Sequence, residues 1–161
     1  MNTESIVKPE VSLIGVAVRT TNAEEAGPSG RLAALWDTYF ASGIAEQIGA
    51  SNAHLIYALY TDYESDASGA YTVLIGHERG DNATLQVPTG MEQALIPESK
   101  FIVFKTRKGP VYEVVLEAWG EIWAFFEHSS IERAYTGDYE LYDGRSFNPA
   151  DAEVDIHIAI K

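Results

Sequence analysis

Hydrophobic positions run unbroken through Val11–Thr20, VSLIGVAVRT, where β-branched side chains dominate and a strand is predicted. After the turn residues GPSG, Leu32, Leu35, Trp36, Tyr39 and Phe40 recur at helical spacing, with Ser29 as a candidate N-cap and Gly43 as the break. HLIYALYTDY (54–63) and AYTVLIGHE (70–78) then read as a strand pair joined by the polar ESDASG. The first half is therefore β-α-β-β.

The second half repeats that order. FIVFKTR (101–107) reads as a strand, PVYEVVLEAWGEIWAFFEH (110–128) as a helix with proline at its start, and DYELYD (138–143) and AEVDIHIAI (152–160) as a strand pair. Trp36 and Trp119 are 83 positions apart, as are Ile75 and Ile158, and at that offset Tyr57 falls opposite Glu140. Self-similarity of this kind predicts a duplicated unit in which each half presents a sheet face it cannot cover alone. Residues 1–161 are read as a single α+β domain with repeats at about 7–79 and 97–161 and a connector, 80–96, able to add short strands.

At 161 residues the chain is long enough to bury roughly two-thirds of its unfolded surface. It has no cysteine, which excludes disulfides, thiolate metal sites and a cysteine nucleophile, and agrees with a cytoplasmic location. The N-terminal MNTESIVKPE lacks the basic and apolar runs of a signal peptide, and no apolar run is long enough to span a bilayer, so no membrane partner is expected. A formal net charge of −13 argues against direct nucleic-acid binding, which depends on phosphate neutralisation by Lys and Arg. Acidity also concentrates small cations near the surface, but by itself names no partner.

Candidate chemistry centres on TGDYELYDGR, Thr136–Arg145. Glycines bracket a short strand whose alternation puts Glu140 and Tyr142 on one face and Tyr139 and Leu141 on the other. A carboxylate among rings is either an ordinary solvated residue or the one fixed charge of an apolar pocket. Other motifs are weak. His54, His77, His128 and His157 lack ligand spacing, Glu24 and Glu25 beside GPSG disfavour phosphate, and DAEVD (151–155) lacks the glycine of a calcium loop. No cofactor or metal is implied.

YALYTDYESDASGAYTVLIG, the KGPVYEVVLEAW helix start, DYELYD and the closing EVDIHIAIK together resemble the GyrI-like, AraC-type effector-binding domain, over about Val7 to Lys161. The resemblance implies duplicated β-α-β-β units of the SHS2 type: a curved antiparallel sheet, two main helices and a pocket near the pseudo-two-fold axis. It further implies binding of small cationic amphipathic aromatic compounds, with a late-strand glutamate, here Glu140, supplying charge while aromatic rings stack on the ligand. Family regulators carry a helix-turn-helix segment before this domain, whereas about ten residues precede the first strand here, so the chain reads as a stand-alone binder similar to integron-cassette proteins. A second family tryptophan, seven positions after the first, is replaced by Phe126.

The candidate ligand-binding set is thus Glu140 with Trp119, Trp36, Tyr57 and Tyr142, extended by Phe126 and Phe40. Core packing is the competing role for the helical aromatics, and cross-strand pairing for the tyrosines. Two other functions use the same features differently: hydrolysis of reactive cyclopropane-type molecules with the glutamate as acid/base, and a protein-inhibitor role through the acidic surface. The oligomeric state is left open.

Overall fold

In the computed structural model, which describes residues 5–28, 30–48, 50, 52–66, 68–79, 87–145 and 148–161, eight strands form one curled antiparallel sheet. They are β1 (Ser5–Lys8), β2 (Val11–Thr20), β3 (Leu55–Thr61), β4 (Tyr71–Glu78), β5 (Glu92–Ile96), β6 (Ser99–Lys105), β7 (Asp138–Asp143) and β8 (Asp155–Ile160). The helices are α1 (Asn22–Glu25), α2 (Leu32–Ser42), α3 (Ile44–Gln47) and α4 (Val111–His128). Among the described residues no helix is long and apolar enough to cross a membrane.

The strand order is β1-β6-β8-β7-β3-β4-β2-β5. Its middle is one arrangement used twice, because β6-β8-β7 and β2-β4-β3 each hold the first, third and second strands of a β-α-β-β unit, and the units meet where β7 pairs with β3. The outer strands are exchanged. β1 pairs with β6 of the second unit (Ser5 opposite Ile102) and β5 with β2 of the first (Val11 opposite Ile96), in one register broken only where Pro9-Glu10 faces Pro97-Glu98. Proline has no N–H to give a ladder, so the same dipeptide interrupts both strands.

Strand registers also correct the internal alignment. Tyr60 pairs with Val73 and Glu140 with Ile156, and Val73 and Ile156 keep the 83-residue spacing, so Tyr60 is the counterpart of Glu140. The helix-to-strand connection is three residues longer in the first half (Trp36 to Tyr60, against Trp119 to Glu140) and the next loop is three shorter. An odd slip turns a side chain to the other face, and Tyr57 is on that other face.

Both faces are buried, for different reasons. Ile14, Val73, Ile75, Ile102, Phe104, Ile156 and Ile158 pack under the helices against Leu35, Ala118 and Ile122. Leu13, Tyr57, Leu59, Leu74, Ile96, Phe101 and Tyr139 pack together on the opposite face. The α2 start differs from expectation. Arg31 is the N-cap residue but gives no side-chain cap, and the Glu25 carboxylate accepts from the N–H groups of Arg31 (2.9 Å) and Leu32 (3.1 Å) instead. An anion there satisfies free N–H groups and favours the positive end of the helix. Ser29 lies outside the described residues. Gly43 ends the helix in the left-handed region, at φ 62°.

Candidate functional site

Strand alternation directs Glu140 and Tyr142 to the helix side of the sheet, beside the axis where the two halves meet. Glu140 is only 3% exposed. Its Oε2 accepts from Trp119 Nε1 at 2.7 Å and from the Tyr60 hydroxyl at 2.9 Å, and its Oε1 accepts from the Tyr142 hydroxyl at 2.6 Å. These donors come from α4, β3 and β7, so both halves hold one carboxylate. Among the described residues no Lys, Arg or His forms an ion pair with it.

Burial raises the Glu140 pKa above its ordinary value, and the three hydrogen bonds pull it back only in part. Burial first, and then the neighbouring Glu140 charge, raise the Tyr60 and Tyr142 hydroxyls well above their usual range, so both remain donors. Charging a carboxylate in such a place costs several kcal/mol, which hydrogen bonds to a charged group, about 1.5 to 3 kcal/mol each, offset in part. When ionised, this carboxylate has no counter-charge in contact among the described residues.

Rings step outward from this carboxylate along two lines. Trp36 packs edge-on to Tyr142 with centroids 5.2 Å apart, and Phe40, 64% exposed, lies 5.9 Å beyond Trp36. Trp119 lies 5.2 Å from Tyr60 and 6.3 Å from Trp123, which is 41% exposed. A third line runs inward, from Tyr60 to Tyr71 at 5.6 Å and on to Tyr63 at 6.1 Å.

Of the residues chosen from sequence, Glu140, Trp119 and Tyr142 therefore meet directly, Trp36 joins through Tyr142, and Phe40 stands at the surface end. Phe126 sits apart, against Phe104 at 6.1 Å and under the Arg133 guanidinium at 6.0 Å. Tyr57 is not in this group. It lies on the opposite face, where it donates to Glu78 and packs against Tyr139 at 5.4 Å. Tyr60 takes its place, and alternation in YALYTDY carried the signal, because Tyr60 shares a face with Ala58, the residue that pairs with Glu140.

A cavity of about 510 Å³ opens elsewhere, beside Leu55 and Leu141, with Lys105, Lys108, Asp151 and Asp155 on its walls. Its lysines are engaged by acids within it, Lys105 with Glu153 (3.3 Å) and Asp155 (3.2 Å), and Lys108 with Asp151 (3.3 Å).

The chain matches a family model described as integron-associated effector binding protein over residues 6–160. It is 36% identical to the Bacillus subtilis protein YobU over 148 residues, covering 91% of this chain and 90% of the relative. Among solved structures, an integron cassette protein from the mobile metagenome of Vibrio cholerae superposes with a TM-score of 0.78 at 28% identity, covering 99% of this chain and 95% of that one. SAV2435 bound to tetraphenylphosphonium has the same fold, with a TM-score of 0.77 at 18% identity over 100% of this chain and 94% of that one.

Proposed function

The chain belongs to the family of integron-associated effector-binding proteins, and on that premise we propose that it binds small aromatic cations, with Glu140 as the charge and Trp119, Tyr60, Tyr142 and Trp36 as the rings. The observation that carries this reading is a buried carboxylate held by three neutral donors with no cation beside it among the described residues. A ligand cation supplies the missing counter-charge, and each aromatic face adds about 0.5 to 2 kcal/mol of cation–π attraction. The ligand-bound relative, which holds a tetraphenyl cation, supports the same chemistry.

Geometry narrows the ligand further. Both Glu140 oxygens already accept hydrogen bonds, so the carboxylate offers charge more than acceptor capacity. Delocalised or quaternary cations are therefore favoured over primary ammonium groups of similar shape, which need acceptors. Hydrolysis with Glu140 as acid/base has only the one acceptor site left on Oε1 to hold a water, so the same hydrogen bonds favour binding over turnover.

The test is calorimetric titration with tetraphenylphosphonium. Glu140→Gln keeps the shape and removes the charge, and losing one member of a desolvated pair costs on the order of 2 to 5 kcal/mol, so affinity falls by roughly 30-fold or more. Glu153→Gln, an exposed acid paired with Lys105, leaves affinity unchanged. Equal affinity for wild type and a folded Glu140→Gln protein rejects the proposal.

A further inference from the structure

We propose that Arg133 sets the charge of the ligand, making the Glu140 site selective for monocations over dications; this rests on reading Glu140 as the cation acceptor. Asp138 precedes Glu140 by two residues on β7 and shares its face, so their Cα atoms lie about 7 Å apart along the strand. Asp138 is completely buried and its needs are met: it accepts from Arg133 Nη2 at 2.7 Å, the Tyr63 hydroxyl at 2.5 Å and the Ala159 N–H at 2.8 Å. The Arg133 guanidinium lies 4.5 Å from the centre of the Tyr135 ring, with Tyr63 at 5.9 Å and Phe126 at 6.0 Å.

This is a second carboxylate in an aromatic box, and here the chain supplies the cation itself. The two boxes share one wall, because the rings of Trp119, Tyr60, Tyr71 and Tyr63 follow one another at 5.2, 5.6 and 6.1 Å. Two acids on one strand face would together suit a ligand with two charges. Arg133 cancels one of them, fills its compartment and repels a second positive charge, leaving Glu140 as the one uncompensated acid of the pair. The loop that carries it is held in an uncommon shape, with Tyr135 at φ 56°. Selectivity for one charge thus arises from an internal occupant of the neighbouring box.

The experiment titrates the full chain with tetraphenylphosphonium, a monocation, and methyl viologen, a flat aromatic dication, by calorimetry. Wild type favours the monocation. In Arg133→Met the dication-to-monocation affinity ratio rises by roughly tenfold or more, because Asp138 is unmasked. A folded Arg133→Met protein with an unchanged ratio overturns the proposal. Removing one partner of a buried pair is destabilising, so the double variant Arg133→Met with Asp138→Asn, which leaves no unpaired charge, is measured alongside. It keeps the wild-type ratio within about twofold, and a shifted ratio there also overturns the assignment. Glu140→Gln separates the two readings: if it abolishes monocation binding while the Arg133 variants keep the wild-type ratio, Glu140 is the acceptor and Arg133 is not the selector. Wild type that binds neither cation overturns both.

Discussion

Glu140 contributes to stability with a sign opposite to that of most carboxylates. Its ordinary value is near 4.5 and burial raises it in the folded protein, so between those two values the folded state holds more protons than the unfolded state. Stability from this group is complete below 4.5 and is lost as pH rises through the raised value. Asp143 works the other way, since Arg145 holds it down at about 2 and its contribution is lost as pH falls. Comparing wild type with Glu140→Gln cancels Asp143. Urea melts from acid to neutral pH are expected to show Glu140→Gln gaining on wild type across the window above 4.5, with no change below it. Over the same window tetraphenylphosphonium affinity rises with pH in wild type, as the proton is displaced, and stays flat in the variant. Glu140 itself was legible from strand alternation and the family pattern. Tyr60 carries the same kind of alternation signal, but a uniform 83-residue offset sets Tyr57 opposite Glu140 instead and hides two compensating three-residue changes in loop length.

At the scale of elements, apolar periodicity located the two long helices and the six longest strands, since each carries its own pattern. The short outer strands β1 and β5 lack such patterns. Ser5–Lys8 is wholly exposed and Glu92–Ile96 buries only Ile96. Their signal was the repeated Pro-Glu that follows each, at 9–10 and 97–98. The α2 cap was hidden in another way, because Glu25 lies six residues before Arg31 and reaches its N–H through a turn. Neutralising that cap with Glu25→Ala is expected to cost about 0.5 to 2 kcal/mol in a denaturant melt. Trp36 rides on α2 and packs on Tyr142, so the same variant weakens tetraphenylphosphonium binding far less than Glu140→Gln but measurably.

For the whole molecule, the exchange of outer strands decides how the halves depend on one another. Cut within the connector, a first fragment would lose β5 from the edge of β2 and expose β3, whose LIYALYT carries buried side chains on both faces. The second fragment would lose β1 from β6 and expose β7, including buried Asp138, Tyr139, Glu140 and Tyr142. Each piece would also be small enough to bury only about 60% of its unfolded surface, the range in which a domain is marginal even with its edges covered. Residues 1–86 and 87–161 made separately are therefore expected to show no cooperative melt and poorly dispersed amide resonances. Mixed, they should recover a single transition and tetraphenylphosphonium binding, since Glu140 needs Tyr60 from one fragment and Trp119 and Tyr142 from the other. A fragment that melts cooperatively alone would show that the halves are independent units placed side by side, and the shared carboxylate would then be a contact between domains and not the centre of one.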